Sequence, residues 1–353
     1  MPKKHSYRKY VEFGVLCLVA AALLWWFGRN LDWREVGHAL RDANPYLLTI
    51  AITIIAVSYL FRAFRWGALL KPLSAVGLAD LFAATTIGFS GILLLGRAGE
   101  VVRPVVLSMR DPRVRPSATV VTIMIERIYD MTAVALIFAV NLIWFRPPNA
   151  LEISFDRVRI AGFGLVVAII AGLAFLAWFR TRSTKLIGIV ERFLSRGRLI
   201  PRRLANLILR LLEQLAQALR VLVNLAELAV TIGWTALLWF GVVAANLLIM
   251  RAFHLHVGFS ETIFVLGWSL IGSLVPTPGG AAGAFHAATA AGLLFLGVKK
   301  ETAAALSIVM HLVDFGPALL FGVIYVIRGD LSFSKMRALI SPEKVEDLIE
   351  EEA

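Results

Sequence analysis

Gly96-Arg97-Ala98-Gly99-Glu100-Val101-Val102-Arg103 follows directly on a long apolar run, Leu81 to Leu95, with no polar loop between them. If that run is a helix entering a bilayer, two arginines, a glutamate and two glycines stand about where it reaches the middle. A charge at that depth costs roughly 2.5–3.5 kcal/mol or more, so such residues are functional candidates by default. The rest of the chain reads as a scaffold that makes this stretch tolerable.

Composition agrees. Of 353 residues 59% are hydrophobic, the mean hydropathy is +0.77, and soluble domains average about 45–50% apolar. Several apolar runs approach or exceed the ~18–20 residues that span a bilayer. The net charge of +12 lies mostly in loops beside apolar runs, where it sets topology and meets anionic headgroups. It does not imply nucleic acid. The single cysteine, Cys17, excludes an intrachain disulfide and offers no metal-site pattern. Lys3, Lys4, Arg8 and Lys9 precede the apolar stretch Val11 to Phe27 without a small-residue cleavage motif, which reads as a retained first helix.

Outward from the opening stretch, the expected order is a helix at about 11–28, an interfacial amphipathic segment at 32–44, and a second helix from Pro45 to about Phe64. Arg62, Arg65, Trp66 and Lys71 then mark a basic, aromatic membrane boundary. The run 78–95 is broken by Gly88 and Gly91 and is followed by a second basic stretch, Arg110 to Arg115. Basic residues on both sides place both ends in the cytoplasm, so residues 78–109 are predicted to turn back near residue 96 as a re-entrant hairpin. Helices follow at 117–145, 158–179 and 225–250. A second broken segment, 262–298, is interrupted by Pro276-Thr277-Pro278-Gly279-Gly280, and a last helix covers 302–327. Residues 180–220 carry ten Lys/Arg against Glu191 and Glu213. They read as cytoplasmic amphipathic helices that anchor topology or dock anionic lipid or a partner. The tail 331–353 is polar and acidic, outside a single integral membrane domain at 1–330.

A shift of 184 residues superposes the halves. Gly96-Arg97-Ala98-Gly99 meets Gly280-Ala281-Ala282-Gly283, and Arg127 with Asp130 meets His311 with Asp314. Unit one covers about 45–145 and unit two about 229–327. With both termini inside, the first hairpin opens to the cytoplasm and the second to the outside. The fold class predicted is an all-α polytopic membrane protein of about six full spans plus two re-entrant hairpins, arranged as an inverted repeat in the cytoplasmic (inner) membrane. That is the architecture of alternating-access transporters.

The candidate substrate-binding residues fall at the breaks. Unit one offers Arg97, Glu100, Arg103, Glu126, Arg127 and Asp130, three positive and three negative charges. Guanidinium forks suit phosphate-like headgroups, and the alternative is a structural ion-pair lock between helices. Arg127 and Asp130 share a helix face. Unit two offers Pro276, Pro278, Gly279, Gly280, His286, His311 and Asp314. A helix restarting after Gly280 aims free N–H groups at the break, or the motif is a plain kink. The histidines are titratable partners or simple helix contacts. His254 and His256 lack a third ligand, so no metal is expected, and no cofactor. Walker, GxSxG and HExxH patterns are missing from the sequence, so an enzyme is not expected.

GRAGEVVRPVVL at 96–107, ERIYD at 126–130 and PTPGGAAGAFH at 276–286, in this order, resemble the flippase-like family related to the transmembrane region of lysylphosphatidylglycerol synthase. The resemblance covers roughly residues 8–330. It implies facing re-entrant hairpins in two inverted units and a role in moving anionic lipids or lipid-linked sugars. Members are associated with aminoacylated phosphatidylglycerol, hopanoids or glycosyltransferase systems, so a glycosyltransferase or lipid-modifying enzyme is a possible partner. The chain departs from the family at two places: His286 stands where a glutamate is usual, and His311 where an arginine is frequent. The alternatives to a lipid transporter are a membrane scaffold docking such an enzyme through 180–220, and a membrane-embedded lipid transferase.

Overall fold

The computed structural model describes residues 4–71, 74–114, 116–146, 152–196, 209 and 225–328, and these are helical with no strand. Helices α1 (Lys4–Gly28) and α2 (Trp33–Asp42) come first. Asp32 caps α2 through the amides of Arg34 and Glu35, 2.9 and 3.4 Å away, and the chain bends by 85° between the two helices. Asn44 caps α3 (Pro45–Leu70) in the same way, and Pro45 supplies the preset φ of a first turn. Next are α4 (Leu78–Leu95), a 3₁₀ turn (Gly96–Val101), α5 (Val102–Arg110), α6 (Pro116–Trp144) and α7 (Glu152–Arg196). The second half holds α8 (Leu225–Ala252), α9 (Phe259–Gly272), a short turn (Pro278–Ala281), α10 (Ala284–Phe295) and α11 (Lys300–Ile327).

Among the described residues four helices are long and apolar enough to cross a membrane: α3, α4, residues 228–252 of α8, and α11. The bent α1–α2 pair adds a fifth if its two parts make one span. This is a multi-pass, all-helical membrane protein. Helix α6 is also long, at 29 residues, but carries Glu126, Arg127 and Asp130 along its apolar sequence.

Both broken segments fold back on themselves, and glycines set how closely. A Cβ on Gly88 of α4 would lie 2.7 Å from Cβ of Arg103 on α5. The Arg110–Asp80 ion pair, 2.8 Å, closes the open end of that hairpin. In the loop beyond, the Arg113 guanidinium donates to Asp111 and holds its carboxyl below the usual carboxylate range. The second hairpin pairs α9 with α10. A Cβ on Gly272 would meet the Ala284 carbonyl at 2.6 Å, and Thr289 Oγ1 donates to Ser269 Oγ at 2.8 Å.

The two turns meet. Gly96 has φ +64°, and a Cβ there would lie 3.0 Å from the Thr277 carbonyl oxygen, so the chains touch backbone to backbone. Around this contact each hairpin also reaches a helix of the other half. Helix α4 packs on α11, where Ser90 Oγ donates to the Ala318 carbonyl at 2.9 Å. Helix α9 packs on α6, where Asn141 Nδ2 donates to the Ser260 carbonyl at 2.9 Å. Helices α3 and α8 pack along each other between them. Their core joins Ala51, Ile55 and Tyr59 to Leu238, Trp239 and Val242.

Two expectations change. The second helix does not end near Phe64: nothing between Phe64 and Leu70 breaks a helix, so α3 continues and carries Arg62, Arg65 and Trp66 with it. Arg65 and Trp66 are fully buried and mark no membrane boundary. Likewise the helix expected at 158–179 runs on as α7 to Arg196. The remainder of the basic segment, apart from residue 209, lies outside the described residues, as does the acidic tail.

Gly99 tests the hairpin packing. A Cβ there would overlap the backbone of Gly91, and overpacking of this kind typically costs about 1–3 kcal/mol. Gly99→Ala is expected to lower the thermal midpoint of the protein in detergent. Gly37→Ala, in a helix where a Cβ meets nothing within 4 Å, should be neutral or raise it slightly.

Candidate functional site

Arg65 lies on the face of α3 that meets α6 and α8. Its Nη1 and Nη2 grip both oxygens of Asp130 at 2.6 and 3.0 Å, and Nη2 also reaches Glu126 Oε1 at 2.8 Å. Glu126 and Asp130 are one helical turn apart, so both present to the same guanidinium. Thr235 Oγ1 of α8 accepts from Arg65 at 3.3 Å, and Trp239 Nε1 donates to Asp130 at 3.2 Å.

From the first hairpin, Arg103 places Nη1 2.9 Å from Glu126 Oε2. Its guanidinium sits 3.9 Å from the ring centre of Trp66, whose own N–H donates to Thr122 Oγ1 at 3.0 Å. Arg65, Arg103, Glu126 and Asp130 are all buried. Two cations face two anions, so the cluster is formally neutral. That neutrality lets ionised groups persist among apolar helices.

Arg127 does not pair with Asp130, although the two share a helix side. Asp130 is taken by Arg65, and Arg127 turns toward Phe89 of α4, its Cζ 5.9 Å from the ring centre. Arg62 approaches the same ring at 4.7 Å. Glu100, half-buried on the tip turn, makes no ion pair among the described residues. The Arg97 side chain lies outside them, and its backbone belongs to the 3₁₀ turn.

The second tip is built differently. Gly279, Gly280 and Ala281 all adopt left-handed dihedrals, with φ of 80°, 61° and 65°, and Gly283 follows at 85°. Ala281 bears a side chain in that region, which costs an L-residue energy that glycine is spared. Pro276 is exposed at the start of the break and Pro278 half-buried. The coil brings the Gly280 carbonyl to His311 Nε2 at 3.2 Å. His286 and His311 stand edge to face, 4.9 Å between ring centres, among Phe27, Phe285 and Phe315. A Cβ on Gly280 would meet His311 at 3.0 Å. His286 Nε2 and Thr277 Oγ1 are buried without a hydrogen-bond partner. Asp314 contributes its backbone carbonyl, which accepts from Tyr59 Oη at 2.8 Å.

The structure thus assembles Arg103, Glu126 and Asp130 in one cluster and Gly280, His286 and His311 in another. The central member of the first, Arg65, was missed because it was read as part of a boundary. A signal was present: Trp66-Gly67-Ala68-Leu69-Leu70 continues the apolar helix past it, with no proline or polar loop.

These features define a polytopic membrane protein with ionised groups buried beside broken helices. A family profile of the lysylphosphatidylglycerol synthase TM region matches residues 14–322, and the chain belongs to that family. Comparison with curated proteins gives no significant match.

Removing Arg65 leaves Asp130 and one oxygen of Glu126 buried without their cation. Breaking a buried pair in this way typically costs about 3–5 kcal/mol. Arg65→Ala is expected to abolish monodisperse, heat-stable protein in detergent. Arg65→Leu combined with Asp130→Leu keeps the Arg103–Glu126 pair and should recover much of the loss. Equal damage in single and double variants would contradict the charge-balance account.

Proposed function

We propose that the protein moves an anionic lipid or lipid-linked sugar across the cytoplasmic membrane. In this reading α1, α3, α6, α7, α8 and α11 are six full spans, with both termini inside. The α4–α5 and α9–α10 hairpins are re-entrant from opposite sides, and the two units form an inverted repeat. Transport proceeds as the units rock about the contact between their tips.

The observation that carries the reading is the meeting of Gly96 with Thr277. Two broken helical hairpins from opposite halves of the chain touch through backbone, with a charged cluster behind one and a histidine pair behind the other. Packing supports it: besides the last helix of its own unit, each hairpin touches the last helix of the other, α4 on α11 and α9 on α6. Non-helical backbone at membrane depth is tolerated where it is buried in protein or lines a cavity, and broken helices at a repeat interface mark transporter binding sites. Family membership supports a lipid-related role. Transport rather than catalysis is the role proposed. The partners are membrane lipids, together with an enzyme that makes or uses the lipid moved.

Proteoliposomes carrying labelled phosphatidylglycerol or a labelled lipid-linked sugar test this through headgroup accessibility at the outer leaflet. Protein-dependent exchange is expected. Cysteines placed at Gly96 and Thr277 in a Cys17→Ser background, joined by a short cleavable thiol cross-linker, should stop exchange, and cleavage should restore it. No exchange of either lipid in either direction, with or without a pH gradient, would sink the proposal.

A further inference from the structure

Behind the first tip the cations outnumber the anions that hold them. Arg65 and Arg103 consume Glu126 and Asp130. Arg62 and Arg127 remain, and among the described residues neither forms an ion pair or a hydrogen bond; Arg127 Nε is buried and unpartnered. Both guanidiniums lie within 6 Å of the centre of one ring, Phe89. Arg62 also lies 5.8 Å from the ring of Tyr59. Phe89 and Tyr59 are themselves buried and packed edge to face, 5.4 Å apart. The two arginines are therefore held by aromatic faces rather than by carboxylates, and each is only half-buried. Arg62 from α3 and Arg127 from α6 thus converge on one ring of α4.

The acidic groups on the neighbouring elements are Asp130, which Arg65 holds, and Asp314 of α11, whose backbone carbonyl accepts from Tyr59 and which is ion-paired with neither arginine. Arg62, Arg65, Arg103 and Arg127 against Glu126, Asp130 and Asp314 leave at least one positive charge in excess. Like charges that share a low-dielectric setting repel, and an anion that reaches both offsets the penalty. Guanidinium forks match phosphate oxygens in pairs, and aromatic faces pre-orient the forks.

We propose that Arg62 and Arg127, braced by Phe89 and Tyr59, form a binding site for a phosphate group, of which a singly charged phosphodiester balances the charge. This deepens the transport reading and rests on it for biological meaning, but equilibrium binding is measurable without translocation. The source of the phosphate is a lipid headgroup or free phosphate.

The test uses the full-length protein in detergent with three probes: dioctanoyl phosphatidylglycerol, dioctanoylglycerol as its phosphate-free match, and inorganic phosphate. Titration calorimetry is expected to show binding of the phospholipid and none of the diglyceride. A charge-assisted hydrogen bond is worth about 1.5–3 kcal/mol, so Arg62→Gln and Arg127→Gln should each weaken binding roughly tenfold or more. Arg251→Gln, on an exposed residue, should leave it unchanged. Competition by inorganic phosphate assigns the site to free phosphate, and lack of competition assigns it to a headgroup. Arg62→Lys and Arg127→Lys keep charge and fold but lose the planar fork, and are expected to bind more weakly than wild type if a glutamine variant does not fold. Affinity that is the same in wild type and in every Arg62 and Arg127 variant overturns the site, as does equal binding of the diglyceride. Binding that follows these expectations in a protein that moves no lipid would instead overturn transport and leave the site standing.

Discussion

The grip of Arg65 on Glu126 and Asp130 is the constraint on which the first half of the structure depends. The fully buried Arg65 guanidinium is held by two carboxylates that come from one face of one helix, a turn apart. That arrangement fixes the rotation of α6 against α3. Thr235 and Trp239 add α8 to the same cluster, and Arg103 ties in the first hairpin through the second oxygen of Glu126. Four elements that share little hydrogen-bonding otherwise are registered by one neutral set of charges. A wholly apolar interface between such helices has no comparable directional restraint, since lipid tails are as apolar as leucine.

The second half solves its backbone problem without permanent charge. Successive left-handed residues at 279–281 turn the chain sharply and aim a carbonyl at His311. Among the described residues, the buried His286 Nε2 and Thr277 Oγ1 have no hydrogen-bond partner. The two tips therefore differ in chemistry. One tip is backed by ionised side chains, the other by backbone and imidazole.

Much of the architecture was legible in the residues. Leu78–Leu95 emerges with the limits its apolar run gave, because Gly96 stops the helix at a left-handed dihedral. The fold-back at 96–101, the broken PTPGG turn and the helix from Pro45 follow from glycine, proline and capping chemistry that acts within a few residues. Other features escaped. The end of α3 was misplaced because arginine and tryptophan at residues 62–66 have the composition of a membrane boundary, whatever lies opposite them. Spacing places Arg127 and Asp130 on one helix face, but the bidentate Arg65 on another helix takes the carboxylate.

The sequence by itself determined which segments are helices, where they break, that the chain belongs in a membrane, and that charge accumulates at residues 96–130. Those properties depend on local dihedral preference and on transfer of side chains from water, both readable residue by residue. Only the tertiary structure decided which charge meets which. Arg65 and Asp130 are 65 positions apart in the chain and 2.6 Å apart in space. In a low-dielectric interior, partner choice depends on geometry across helices, and helix faces are set by packing that no single segment encodes. For the same reason the structure alone separates the arginines that are spent on carboxylates, Arg65 and Arg103, from those left facing an aromatic ring, Arg62 and Arg127.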